Sequence, residues 1–308
     1  MQVGTGYFFD SRNRQMSALN GAAQRIQTQL ATGKKLLAPS DDPVATGRLA
    51  RMSIAQADQN QYAQNLKLAG SLLAQSDSTL ESISNNLKRA NELAIRAGNE
   101  TLSAENRAAI AAELDAMLED MLSLANTTDV RGTALFGGSA DGPAYVRGTN
   151  GAIGFAGQGE APPVPIGAGV TVAATDSGQR LFEGFTVGGA PSDLFKVVGD
   201  LAAALKPGGS ADSTALRASL ARANEGIAKA AEKIDTGRSS IGARAARLEI
   251  EGDRLAQAAI DNEIERGEIE GVNVEAAVVE LQKTMLALEA TQASFSKLSQ
   301  LSLFDYIR

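Results

Sequence analysis

The stretch from Asn273 to Arg308, NVEAAVVELQKTMLALEATQASFSKLSQLSLFDYIR, decides the fold. Val274, Val278, Leu281, Met285, Leu288 and Phe295 fall at intervals of four, three, four, three and seven. That rhythm puts apolar side chains on one stripe of an α-helix and is the seam of a coiled coil. Gln292 holds the position skipped in the last interval. No proline follows Pro207, so the predicted helix runs almost to the end. Leu298, Leu301 and Phe304 carry the stripe into an apolar tip with Leu303, Tyr306 and Ile307. Such a stripe stays wet unless it is covered, so it needs a partner in this chain or in another copy.

The first stretch of the chain offers one. Met16, Leu19, Ala23, Ile26 and Leu30 are spaced three, four, three and four. Residues 1–50 carry six basic and three acidic side chains, a net of +3, whereas residues 261–308 carry four basic and nine acidic, a net of −5. Opposite flanks on two seams favour their pairing. The expectation is that the two ends of the chain lie side by side.

Composition narrows the rest. The 308 residues are enough for two or more domains. A formal charge of −7 argues against nucleic acid and anionic membrane as partners. No run of about 18 apolar residues is present, so no membrane insertion is expected. The start, Met1-Gln2-Val3-Gly4, lacks the basic and apolar regions of a signal peptide. Aromatic residues make up only 4%, with no tryptophan, which suits long helical bundles better than sheets. The absence of cysteine and histidine removes thiol nucleophiles, thiolate metal sites, the Ser-His-Asp arrangement and the histidine zinc motifs. Gly157-Gln158-Gly159 and Gly167-Ala168-Gly169 lack the third glycine and following helix of a nucleotide loop. No catalytic residue, cofactor site or metal site is expected, and the chain reads as not an enzyme.

In chain order, residues 1–37 read as a helix ended by Gly33 and Pro39. Asp42 is placed to cap the next helix, with Pro43 at its first position, where a missing N–H costs nothing. A cation held by Asp41 and Asp42 is the competing reading, but no further acidic ligands follow at suitable spacing. From Pro43 to Ala97, Leu66, Ala69, Leu73, Ser76, Leu80, Ile83, Leu87, Ala90 and Ala94 keep three-four spacing, predicting a helix of about 80 Å. Ser103 is the expected cap of a return helix through Ile110, Leu114, Met117, Met121 and Leu124. Residues 133–192 differ in character: fourteen of the 31 glycines lie between Gly137 and Gly189, with five of the eight prolines. This reads as a small β-rich insert with a modest core of its own. A short helix follows from Asp193 to Leu205. Leu216, Leu220, Ala223, Ile227, Ala230, Ile234, Ile241, Leu248 and Leu255 then share one heptad frame, with a break expected at Arg266–Gly271. Gly226, Gly237, Gly242 and Gly252 sit inside that helix, read as close helix approach or as local flexibility.

The expected fold is mainly α with a small β insert: an elongated antiparallel helical bundle, its end helices paired as a coiled coil and the β-rich part at the far tip. The expected divisions are 1–40 with 262–308 as a terminal coiled-coil domain, 41–136 with 193–261 as a helical bundle, and 137–192 as the insert.

The residues also carry a resemblance. Leu30-Ala31-Thr32-Gly33-Lys34-Lys35, Pro39-Ser40-Asp41-Asp42-Pro43-Val44-Ala45, Ala97-Gly98-Asn99-Glu100-Thr101-Leu102-Ser103, Leu135-Phe136-Gly137-Gly138 and the ending Leu301-Ser302-Leu303-Phe304-Asp305-Tyr306 resemble the bacterial flagellin superfamily over nearly the whole chain. Within it they look most like the hook–filament junction proteins; flagellins proper usually have alanine at the position of Pro43. The resemblance implies an extracellular structural protein of the flagellum. It further implies type III export without a cleavable signal and a cytoplasmic chaperone on the C-terminal helix. The implied partners are other copies in a ring-like or helical layer, the first hook-associated protein and flagellin. A small flagellin that itself forms the filament is the alternative.

Overall fold

The computed structural model describes residues 2–99, 102–210 and 212–306. It is mainly helical: α1 (Gln2–Thr32), α2 (Pro43–Ala97), α3 (Ala104–Ala125), α4 (Gly178–Phe182), α5 (Leu194–Leu205), α6 (Ser213–Glu270) and α7 (Val274–Tyr306). Six short strands form three antiparallel pairs: β1 (Tyr145–Arg147) with β2 (Ile153–Phe155), β3 (Val164–Gly167) with β4 (Val170–Val172), and β5 (Phe185–Val187) with β6 (Ala190–Ser192). Contacts gather the chain into two compact units, residues 1–58 with 257–308 and residues 59–256.

Side-chain caps set the helix starts. Asp42 Oδ1 accepts from the N–H of Val44 (3.0 Å) and Ala45 (2.9 Å), with Pro43 leading α2. Ser103 accepts from Asn106 N–H at 3.2 Å to open α3, and Asp193 accepts from Lys196 N–H at 2.7 Å to open α5. Each bond satisfies an N–H that the first helical turn leaves without a partner. Two boundaries differ from expectation. α1 stops at Thr32 rather than residue 37, because Gly33 takes a left-handed φ of +69° and ends the helix there. α6 continues through Gly267 to Glu270, where an Arg266–Glu270 pair at 3.2 Å spans its last turn, so the break narrows to Gly271–Asn273.

In the unit of residues 59–256 the predicted stripes point inward. Ala69, Leu73, Ser76, Leu80, Ile83, Leu87, Ala90 and Ala94 of α2 are buried, as are Leu220, Ala223, Ile227, Ala230, Ile234, Ile241 and Leu248 of α6. Ile110, Leu114, Met117 and Met121 of α3 join them. α2 and α6 run antiparallel here, since Arg238 pairs with Asp77 at 2.8 Å while Leu248 reaches Gly70. Within the insert, Phe155 and Phe182 pack against Tyr145, and this small core is continuous with that of the helices. Phe136, Tyr145, Ile166, Val172, Phe182 and Phe195 lie in one continuous apolar cluster with the helix stripes. Tyr145 meets Phe195 with ring centroids 4.8 Å apart, and Phe136 meets Phe182 at 5.3 Å.

Two glycines explain how that cluster closes. A Cβ on Gly226 would stand 2.5 Å from Val197 Cγ2, and one on Gly237 would overlap Leu181. These two are sites of close approach to α6; Gly242 and Gly252 have nothing within 4 Å. The first explanation of the α6 glycines therefore holds for two of the four.

Candidate assembly interface

The unit of residues 1–58 and 257–308 is built from the two ends of the chain. α1 packs along α7. The pair is antiparallel: Gly33 O accepts from Val272 N–H at 3.0 Å, while Phe9 meets Phe295 edge-on with centroids 5.4 Å apart. Along α1 the covered apolar positions are Met16, Leu19, Ala23, Ile26 and Leu30, with Ala23 buried and the other four half-buried.

α7 is more divided. Its least exposed positions are Ala277, Leu281, Thr284, Leu288, Thr291 and Phe295, spaced four, three, four, three and four. Leu281, Leu288 and Phe295 of the predicted seam belong to this face. Val274, Val278 and Met285 do not: they keep 58%, 39% and 46% of their surface exposed and form a second stripe beside it. The side chains of Leu298, Leu301 and Phe304 lie outside the described residues. The covered face uses small residues where sequence reasoning chose larger ones. Ala277 and Thr284 let the helices come close, and the hydroxyls of Thr284 and Thr291 are bonded within the helix, to Glu280 O (2.8 Å) and Ala287 O (2.7 Å). The seven-residue interval between those threonines was the available signal.

Where α1 ends and α7 begins, the crossing segments are stitched together. Lys35 N–H donates to Glu270 O at 2.7 Å, and Lys34 forms an antiparallel bridge with Gly271. The Glu270 carboxylate takes Lys34 Nζ at 2.7 Å and Arg266 Nε at 3.2 Å. The Lys34 hydrogen bond, outweighing partial burial, holds Glu270 below the ordinary carboxylate range. Asp41 accepts from Leu37 N–H (2.9 Å) and Ala38 N–H (3.0 Å) and pairs with Arg25 at 2.9 Å; the Leu37 and Ala38 bonds, then Arg25, hold it low as well. Both aspartates that suggested a cation are thus engaged, Asp41 in the turn and Asp42 as the cap. Arg48 and Glu265, at 2.6 Å, tie α2 to α6 in the same unit.

Chemically this arrangement has one capacity. Ala23 and Thr284 are buried, but the larger seam residues of both helices remain half-exposed, and α7 shows a further apolar stripe to solvent. Two helices alone cannot dry such a seam; additional helices can. Among the described residues no cluster of acids could hold a metal, and no helix is long and apolar enough to cross a membrane.

These features define a class: structural proteins whose two chain ends fold into one helical pair that remains open to further helices. Residues 10–141 match the bacterial flagellin N-terminal helical region and residues 225–307 match the bacterial flagellin C-terminal helical region; the chain belongs to the bacterial flagellin family. It is 24% identical to flagellar hook-associated protein 3 of Salmonella typhimurium over the full length of both chains. It is 25% identical to a flagellin of Listeria monocytogenes, covering 97% of this chain and 95% of that one. Among solved structures, a flagellar hook-associated protein from Vibrio parahaemolyticus shares the fold at a TM-score of 0.68, with 21% identity over 75% of this chain and 100% of its own.

Proposed function

We infer that the chain is a structural component of the bacterial flagellum that joins hook to filament. The observation that carries this is the open α1–α7 pair: a seam left half-wet in the single chain, with a second apolar stripe on α7. The end-to-end likeness to hook-associated protein 3 of Salmonella typhimurium favours the junction over the filament. As a flagellar component it assembles with other parts of that appendage, outside the cell. The finer reading is that copies associate through Met16, Leu19, Ala23, Ile26, Leu30, Leu281, Leu288 and Phe295, with Val274, Val278 and Met285 meeting a neighbouring copy. In it the assembling part is residues 1–40 with 262–308. The layer so formed contacts the first hook-associated protein on one side and flagellin on the other. Export proceeds through the flagellar type III apparatus without a cleavable signal, with a cytoplasmic chaperone covering the C-terminal helix.

The second reading, a small flagellin, draws on the near-complete match to the Listeria monocytogenes protein. Electron microscopy of flagella labelled with an antibody to this chain separates the two. Label confined to the hook–filament boundary is expected, and label along the filament overturns the junction reading. A deletion strain should make hooks and release filament subunits into the medium.

A further inference from the structure

The chain contains no cysteine, histidine or tryptophan, so methionine is the side chain left to a two-electron oxidant such as a peroxide. Its six methionines are Met1, Met16, Met52, Met117, Met121 and Met285. The fold grades the last five. Met117 and Met121 lie in the core of the 59–256 unit, 7% and 0% exposed. Met16 is half-buried on the covered face of α1, and Met52 is half-buried on α2, where its carbonyl takes Asn262 Nδ2 at 3.4 Å. Among these five only Met285 is an exposed residue, at 46%.

Met285 stands where the two faces of α7 meet. One turn away lie Leu281 and Gln282 on one side and Leu288 and Glu289 on the other. Leu281 and Leu288 belong to the half-buried face, whereas Gln282, Leu286 and Glu289 are exposed. The thioether is therefore open to a small oxidant in the single chain, and it sits on the outward stripe with Val274 and Val278. Hydrogen peroxide transfers one oxygen atom to such a sulfur. A sulfur lone pair forms the new S–O bond, the O–O bond breaks, and the other oxygen leaves as water. The product, methionine sulfoxide, replaces an apolar thioether by a polar acceptor. An acceptor covered without a donor is costly.

We propose that Met285 is the oxidation site of the free chain, and that its sulfoxide blocks the covering of the α7 stripe by a neighbouring copy. Peroxide then acts on the chain before assembly, and assembly closes the sulfur off. The proposal rests on the reading of that stripe as an assembly surface and adds a chemical control to it. The control is reversible, because sulfoxide reductases restore the thioether.

The test treats the purified full chain with graded hydrogen peroxide and reads each methionine peptide by mass spectrometry. Met285 is expected to gain its oxygen first, Met16 and Met52 later, and Met117 and Met121 only when the chain is unfolded. The same treatment of intact flagella should leave Met285 unmodified at doses that convert it completely in the free chain. Light scattering should place the onset of association at a concentration at least about tenfold higher after oxidation. The melting curve should not move, and treatment with both epimer-specific sulfoxide reductases should restore the onset. M285Q, polar and of similar length, should lower the count of attached filaments without peroxide; that count also decides the block if the chain alone does not associate in solution. Met16 or Met52 converting as fast as Met285 overturns the site assignment. Complete conversion with an unmoved onset, or normal filament counts in M285Q cells, overturns the block; if M285D still sheds filaments, the covered-stripe reading stands. Equal rates at Met285 in the free chain and in intact flagella overturn both.

Discussion

Met285→Asp isolates the outward stripe of α7. Met285 keeps 46% of its surface in solvent, so an aspartate there disturbs little inside the single chain. Complete burial of a methionine side chain stabilises by about 1.5–3 kcal/mol, and roughly half of that burial remains to be gained, so covering Met285 contributes about 1 kcal/mol per contact. A covered aspartate adds the penalty of desolvating an unpaired carboxylate, which runs to several kcal/mol. At 1.4 kcal/mol per factor of ten, the association constant should fall by about a hundredfold or more. Met285→Leu conserves volume and should leave association nearly intact. The assay has two arms: thermal melting of the purified chain by circular dichroism, expected unchanged for both variants, and counts of attached filaments, expected to collapse for M285D alone. Cells carrying M285D with a normal number of attached filaments would refute the reasoning, because a covered stripe cannot accept that charge without loss.

Three further outcomes follow from the packing. Replacing residues 139–188 by a short Gly/Ser linker removes Tyr145, Ile166, Val172, Leu181, Phe182 and Phe185 from the core. At about 2 kcal/mol each the loss is comparable with a typical domain's whole stability of about 5–15 kcal/mol, so the cooperative melt of the 59–256 unit should be strongly lowered or lost in a calorimetric scan. Burial raises the Glu183 and Asp193 carboxyls above their ordinary range, with Tyr145 donating to Glu183 at 3.2 Å. Acids raised in the folded state lose stability as pH climbs from their unfolded pKa through the folded one, so Glu183→Gln should melt higher than the unaltered chain at pH 7. That advantage should disappear on acidification to the ordinary carboxylate range, as a pH series of melts would read. Glu270→Gln unties Lys34 and Arg266; with Lys34 half-exposed the loss should be at most about 1 kcal/mol, seen as faster proteolysis of the 33–42 segment and shrinking as salt is raised.

The long helices were legible because their signal is local and repeated. On α2, every stripe residue from Ala69 to Ala94 is buried, and on α6 the heptad frame from Leu220 to Leu248 behaves likewise. Caps were legible for the same reason: Asp42 and Ser103 act within three residues of themselves, while Asp193, read as the first residue of its helix, is its cap. The C-terminal seam was half legible. The predicted seam and the covered face of α7 share Leu281, Leu288 and Phe295, and hydropathy alone prefers Val278 and Met285 to Ala277 and Thr284. Packing prefers the reverse, because two helices approach most closely where side chains are small.

The insert was the least legible part, and the reason lies in where its contacts go. Strands of three or four residues bury few side chains against each other, so a three-pair insert makes only a small core from its own sequence. Its aromatic residues meet across turns and strand pairs, Tyr145 against Phe155 and Phe182 and against Phe195 of α5, and no local pattern records such pairing. The trace it leaves is on the other partner. A glycine inside a helix costs about 1 kcal/mol relative to alanine, which is tolerable where a Cβ would collide with something worth more. Gly226 and Gly237 meet that condition against Val197 and Leu181, while Gly242 and Gly252 face open space. Substituting alanine should therefore sort the four: destabilising at Gly226 and Gly237, where the neighbour must move, and stabilising by up to about 1 kcal/mol at Gly242 and Gly252. Thermal melting of the four variants reads this directly, and equal shifts at all four would show that α5 and the insert do not pack on α6 as the glycines imply.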